Sequence, residues 1–393
     1  MIQRDYLIIG TGIGGASACE GLRKYDKRGS VTIVGAETFH PYKRWILSKS
    51  FLREKDPQVK KIQQHDAHWY DAHKIETRLG TLVAQLNIDR RLAVLGNGES
   101  IEFKKACLAM GSRPVRPPVA GVNLGNVIYL RNIRDALALR EMANLEKTVM
   151  VVGGGLLACE AAASLRMMKL KVSVMHRNAY LLNRYLDPET GGWLTEYFVK
   201  HGITMLMGES LNGFEGKTVL RNIQTKSGNR VPAGLAVVAC GAEPNLDLVR
   251  NTPLSGPHGS PVTDYLETEE KGFYAVGDLA FYPDRLMGGV RRQTHWENAR
   301  EQGLIAGANM TGKKRIRYEQ IPYFWTEMFD LTMHFVGDFS IQPTRIDSTG
   351  TYAKKKFVLK YYQGDKLRGI LLCNPTTHDV ELATRQLRHA LGK

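Results

Sequence analysis

The chain has 393 residues, 43% of them hydrophobic and 24% charged; at about 150 residues per domain this implies two or three domains, each able to bury its own core. Those proportions exclude a disordered or fibrous chain, and no run approaches the roughly 18 uninterrupted apolar residues of a membrane span. The net charge is +15, with 18 basic against 10 acidic residues between Arg285 and Lys393, and such a surface attracts acidic proteins, nucleic acid or anionic lipid without choosing among them.

The spacing predicts a strand over 5–10, then Gly10-Thr-Gly12-Ile-Gly-Gly15, a helix over 16–24 and a second strand over 30–34. With a strand starting this early, no secretory leader is expected. Gly10 allows the tight turn, Gly12 lets a pyrophosphate approach the backbone, and Gly15 lets helix and strand pack closely. The helix N-terminus offers its N–H groups to phosphate. Glu37, about 20 residues further on, stands where an acid accepts hydrogen bonds from ribose hydroxyls.

The pattern returns as a strand over 148–152, Gly153-Gly-Gly155-Leu-Leu-Ala158, a helix over 159–168 and a strand over 171–175. Ala158 replaces the third glycine and still permits close helix packing. This strand ends in His176-Arg177 rather than an acid. A carboxylate there suits a free 2′-hydroxyl, whereas a cation accommodates a 2′-phosphate, so NADPH is expected over NADH, with Arg184 as a second contact; solvated loop residues are the alternative reading. Two dinucleotide sites imply one tightly held and one exchanging cofactor, the arrangement of a flavoprotein reductase.

The five cysteines are scattered, without a CxxC pair, which points to reduced thiols and an intracellular, cytoplasmic location. No His/Cys/Asp/Glu set has metal-ligand spacing, so no metal or iron–sulfur centre is expected.

Further motifs follow in order: His40-Pro-Tyr-Lys-Arg44-Trp-Ile-Leu-Ser-Lys49, Ala106-Cys-Leu-Ala-Met-Gly111, Cys240-Gly241-Ala-Glu-Pro244, Gly272-Phe-Tyr-Ala-Val-Gly277-Asp278, His295-Trp296-Glu-Asn-Ala299 and Pro322-Tyr-Phe-Trp325-Thr-Glu. Together with the two glycine turns they resemble, over essentially the whole chain, the FAD-dependent pyridine nucleotide reductases. The resemblance is to the ferredoxin/rubredoxin reductase branch, which includes apoptosis-inducing factor. Two positions depart from the branch: Trp45 stands where it has Pro, and Met110 where it has Thr.

The resemblance implies an α/β fold with two Rossmann-like domains, for FAD and NAD(P), and a small α+β C-terminal domain. The FAD domain is expected at 1–114 with 242–321, the NAD(P) domain at 115–241 and the last domain at 322–393. It also implies a Lys49–Glu160 ion pair near the flavin N5, where a cation stabilises the reduced ring. Arg44 is expected beside the flavin, Asp278 next to Gly277 on the ribityl chain, and Trp296 at the pyrimidine end. Gly241 marks the return from the NAD(P) domain, and Trp325 covers the flavin or belongs to the core. The disulfide reductases of related fold carry a redox cysteine in the segment matching 39–52; none is present here, and Cys159 reads as structural.

In the tail, strands are expected at 335–337, 352–362 and 368–373, and a helix at 377–391. Basic runs at 285–292, 313–317 and 354–356 are expected to steer an acidic electron carrier of the ferredoxin or rubredoxin type. Two further functions use the same features: a quinone or small-molecule reductase at a membrane surface, and a redox-sensing flavoprotein that binds nucleic acid. The sequence leaves the oligomeric state open.

Overall fold

The computed structural model describes residues 2–392. It divides into two compact units, one of residues up to Lys43 with Gln58–Arg113 and Pro244–Tyr323, the other of Arg44–Pro57 with Pro114–Glu243 and the chain from Phe324 onward. The short segment Arg44–Pro57 thus groups apart from the stretches that flank it in sequence.

In the first unit the strand Ile2–Ile9 pairs in parallel with Val31–Gly35 on one side and Ser100–Leu108 on the other. Ile75–Leu79 and Phe273–Ala275 extend the parallel sheet outward, and the ribbon Val83–Asn87/Leu92–Leu95 joins it antiparallel. Val31–Gly35 is buried at every position, as a parallel strand covered on both faces must be.

Helices Ile13–Tyr25 and Trp296–Met310 meet along a seam of small residues. A Cβ at Gly21 would sit 2.0 Å from the Leu304 carbonyl oxygen, and one at Gly307 2.0 Å from that of Ala18. Nearby, Arg23 is 3% exposed and uses its guanidinium on four backbone carbonyls, those of Asp26, Gly29, His73 and Lys74. A buried charge is tolerated because its donors are satisfied.

The second unit holds another parallel sheet, in the order Thr204–Met207, Lys171–His176, Thr148–Val152, Leu235–Val238, Val127–Ile128. Helix Leu156–Met167 follows the Thr148–Val152 strand. Its C-terminal part is an antiparallel sheet, Tyr323–Met328, Leu331–Gly337, Lys366–Cys373, Lys356–Gln363, Arg345–Thr351, followed by helix Thr377–Ala390 with a Thr376/Asp379 capping box.

One expected strand is corrected here. Residues 352–362 do not run as a single strand, because the chain turns at Tyr352–Lys355 between Arg345–Thr351 and Lys356–Gln363. Lys355 takes the left-handed conformation, φ 52°, and its ammonium pairs with Asp330 at 2.6 Å. The Tyr352 ring packs 5.2 Å from Trp193 on helix Pro188–Lys200. The same ring also meets Phe357 of the Lys356–Gln363 strand at 4.7 Å, so helix and sheet share its apolar face. No described helix is long and apolar enough to cross a membrane.

Candidate active site

In the first unit the glycine turn sits at the carboxyl end of Ile2–Ile9, where parallel sheets present their ligands. Gly10 has φ +119°, and a Cβ on it would come 2.2 Å from the Ala109 carbonyl oxygen; its N–H donates to Val34 O at 2.7 Å. A Cβ at Gly15 would meet the Gly10 oxygen at 2.0 Å. Gly12 is the opposite case. It caps helix Ile13–Tyr25 with no side-chain hydrogen bond, and open space lies where its Cβ would be. Two glycines there are needed for packing, and the third leaves room in front of an uncapped helix end, which fits a pyrophosphate.

The carboxylate of Glu37, just past Val31–Gly35, accepts from the Tyr42 hydroxyl at 2.5 Å. Gly277, at φ +69°, donates its N–H to Gln302 Oε1 at 2.8 Å. The neighbouring Asp278 is buried and accepts from Ser112 Oγ at 2.6 Å. His295 precedes helix Trp296–Met310, and its crowded, desolvating surroundings push its pKa down to about 4, so it is neutral. The buried Trp296 indole N–H finds no acceptor among the described residues.

In the second unit the turn is repeated. Gly153 has φ +129° and a Cβ on it would approach the Ala239 oxygen to 2.4 Å; Gly155 caps Leu156–Met167 with no side-chain bond and faces open space. Ala158 is fully buried against the turn. Gly241 is at φ +123°, and its carbonyl accepts from Val115 N–H at 3.0 Å.

His176 does not supply the expected cation. Its ring lies against Gly154, where a Cβ would meet it at 2.4 Å, and its Nε2 is 3.0 Å from Asn183 Oδ1. Burial lowers its pKa from the ordinary value, so the ring is neutral at pH 7. Arg177 and Arg184 are exposed and remain as the cations beside this turn.

Lys49 and Glu160 also lie in the second unit. Lys49 Nζ is 2.8 Å from Glu160 Oε1, with side chains 5% and 8% exposed. The ammonium also donates to the Trp45 carbonyl at 3.0 Å and lies 4.8 Å over the Trp325 ring and 5.6 Å over Trp45. The two indoles meet edge to face at 4.8 Å, so Trp45, the departure from Pro, builds one wall of the lysine's surroundings. Arg44 donates to Arg131 O at 2.8 Å. Burial pushes the Cys159 thiol up, which keeps it protonated next to Glu160.

Sequence reasoning brought Lys49, Glu160 and Trp325 forward, but it missed two residues that touch the pair. Ser48 Oγ donates to Glu160 Oε2 at 2.5 Å and Thr326 Oγ1 to Glu160 Oε1 at 2.7 Å. Their only signal is adjacency to Lys49 and Trp325, since hydroxyl residues that far apart in sequence show no pattern by themselves.

Part of the basic excess is consumed internally. In the first unit Arg285 and Arg317 both pair with Asp264, at 2.6 and 3.2 Å. Arg291 pairs with Asp284 at 3.0 Å, and Arg292 donates to the Asp278 carbonyl at 3.2 Å. Lys314 and Arg315 in that unit, and Lys354 and Lys356 in the other, are exposed.

The chain is 30% identical to rhodocoxin reductase of Rhodococcus erythropolis, over 95% of this chain and 87% of that one. It is also 30% identical to the ferredoxin–NAD(+) reductase subunit of the benzene 1,2-dioxygenase system of Pseudomonas putida, over 84% and 80%. The solved ferredoxin reductase for the CYP199A2 system of Rhodopseudomonas palustris superposes with a TM-score of 0.91 at 26% identity, covering 96% of this chain and 93% of that one. A profile of the pyridine nucleotide-disulphide oxidoreductases matches residues 4–303, and the chain belongs to that family of FAD- and pyridine-nucleotide-dependent oxidoreductases.

Proposed function

We propose that this oxidoreductase takes hydride from NAD(P)H and passes the electrons singly to an acidic carrier protein of the ferredoxin type. The observation that carries the reading is the buried Lys49–Glu160 pair, whose carboxylate stands on the helix that also opens the second glycine turn. One helix thereby holds both a nucleotide-binding end and the partner of a buried cation. The names of the relatives, ferredoxin–NAD(+) reductase among them, support the same acceptor class.

In this reading Gly10, Gly12 and Gly15 receive the FAD pyrophosphate, Glu37 its ribose, and Asp278 beside Gly277 its ribityl chain, with Trp296 at the pyrimidine end. Gly153, Gly155 and Ala158 receive NAD(P)H. Lys49 supplies the positive charge next to the reducible ring, Glu160 fixes it, Arg44 borders the ring and Trp325 covers it. FAD converts a two-electron delivery into one-electron departures. The domain limits proposed are 1–114 with 242–321 for FAD, 115–241 for NAD(P) and 322–393 for the last domain.

The test is anaerobic mixing with each nucleotide, then with oxidised [2Fe–2S] ferredoxin. Bleaching of the flavin followed by ferredoxin reduction supports the proposal; a reduced flavin that leaves ferredoxin oxidised overturns the acceptor.

NADPH is the preferred donor in this proposal, supported by the lack of an acid at the end of Lys171–His176 and the exposure of Arg177 and Arg184. Arg177→Glu is expected to lower kcat/KM for NADPH by about ten-fold or more, the loss of one charge-assisted phosphate contact, with NADH little changed. Equal losses with both nucleotides would refute the preference.

For the carrier, Lys354→Glu with Lys356→Glu is expected to raise KM for ferredoxin several-fold at low salt, an effect that fades as salt is added. Ferricyanide reduction is expected to stay unchanged; an equal fall in both activities would remove these lysines from the docking face.

A further inference from the structure

We propose that Ser48 and Thr326 are positioning residues for Lys49, acting by anchoring Glu160 through both of its carboxylate oxygens. The proposal rests on the role given to Lys49 above. Glu160 Oε2 accepts from Ser48 Oγ at 2.5 Å, and Oε1 accepts from Thr326 Oγ1 at 2.7 Å and from Lys49 at 2.8 Å. Thr326 is 0% exposed and Ser48 3%, so water does not substitute for either hydroxyl.

Ser48 is itself clamped. Its carbonyl accepts from Ser164 Oγ at 2.6 Å, and Glu160 and Ser164 lie one turn apart on the same helix, hence on one face. The chain just before Lys49 is therefore fastened to the Leu156–Met167 helix at two successive rungs, once through the backbone and once through the hydroxyl. A glutamate paired with a lysine alone still rotates about its terminal bond. Donors on both oxygens remove that freedom.

The consequence falls on the ammonium. Lys49 carries three N–H donors; Glu160 Oε1 and the Trp45 carbonyl take two, while the indoles of Trp45 and Trp325 flank the charge. The third donor is thereby aimed at one place, and a preorganised charge is what stabilises electron density arriving there. Electrostatic stabilisation of this kind falls steeply once the cation wanders.

The experiment uses the FAD-loaded full chain with Thr326→Val, Thr326→Ser, Ser48→Ala and Lys49→Met. Two quantities are read: the limiting rate of anaerobic flavin reduction by NADPH, and the midpoint potential of the bound flavin by potentiometric titration. Thr326→Val keeps the shape and removes the hydroxyl. It is expected to lower the limiting rate about ten-fold with half-saturating NADPH unchanged, and to move the potential to a more negative value. Thr326→Ser is expected to restore both, and Ser48→Ala to move both in the same direction as Thr326→Val.

Wild-type rate and potential in Thr326→Val would overturn the proposal, as would an equal defect in Thr326→Ser, which keeps the hydroxyl and would make any change at this position, and not loss of the bond to Glu160, the cause. If Thr326→Val loses its flavin, Ser48→Ala decides by the same two readings. If Lys49→Met leaves rate and potential unchanged, the reading of Lys49 itself fails. If Lys49→Met changes them and the hydroxyl variants do not, only the positioning proposal fails.

Discussion

Lys49→Met is expected to retain FAD yet reduce it by NADPH roughly 10²–10³-fold more slowly, the loss that follows removal of one preorganised electrostatic contact. Methionine fills much the same volume between Trp45 and Trp325, so the indole edge contact at 4.8 Å keeps its surroundings. What disappears is the charge. Removing one partner of a buried ion pair generally costs about 3–5 kcal/mol because the other is left uncompensated. Here the hydroxyls of Ser48 and Thr326 still donate to Glu160, so the fold is expected to lose less than that. The prediction is therefore a split: a large kinetic defect with a modest fall in thermal stability, read by stopped-flow absorbance and by thermal unfolding monitored through circular dichroism. A variant that reduces at the wild-type rate would remove Lys49 from the chemistry. A variant that fails to fold would make the pair primarily structural.

The split also shows which parts of the site were legible in the sequence. The glycine turns were, because the positive φ of Gly10 and Gly153 and the 2.0 Å approach of a Gly15 Cβ to the Gly10 oxygen are constraints within the turn itself, which glycine meets. Lys49 and Glu160 were legible only through family resemblance, since nothing local distinguishes a buried lysine from a surface one. Ser48 and Thr326 were not legible, because a hydroxyl becomes a carboxylate donor only when folding brings it there. His176 was read as a cation from its place at a strand end. Its protonation is set by burial against Gly154, which outweighs the bond its Nε2 donates to Asn183 Oδ1, and no sequence pattern carries that. Tyr352 was read into a strand; it stands instead in the turn before Lys356–Gln363, its ring packed against Trp193 and Phe357. In each case the missing information is a tertiary neighbour.

Gly307→Val is expected to cost the first unit its stability and its flavin, by more than the roughly 1–3 kcal/mol usual for overpacking. The reason is the atom that the new side chain meets. At Gly307 a Cβ would lie 2.0 Å from the Ala18 carbonyl oxygen, and at Gly303 2.4 Å from that of Gly14. Both acceptors belong to the first two turns of the helix that Gly12 caps, and a backbone cannot swing aside as a flexible side chain does. To admit valine, helix Trp296–Met310 must separate from helix Ile13–Tyr25, which drags the uncapped helix end away from the place where the pyrophosphate is proposed to bind. Flavin release and an unfolding transition at lower temperature are expected together. The matched control is Gly192→Ala, on helix Pro188–Lys200 with open space around its missing Cβ. There the substitution relieves the helix of glycine's backbone entropy and is expected to stabilise by about 0.5–1 kcal/mol. Differential scanning calorimetry with flavin absorbance separates the outcomes. A Gly307→Val protein that stays yellow with an unchanged transition would mean that the two helices can part without loss, and that the small-residue seam does not hold the nucleotide turn in place.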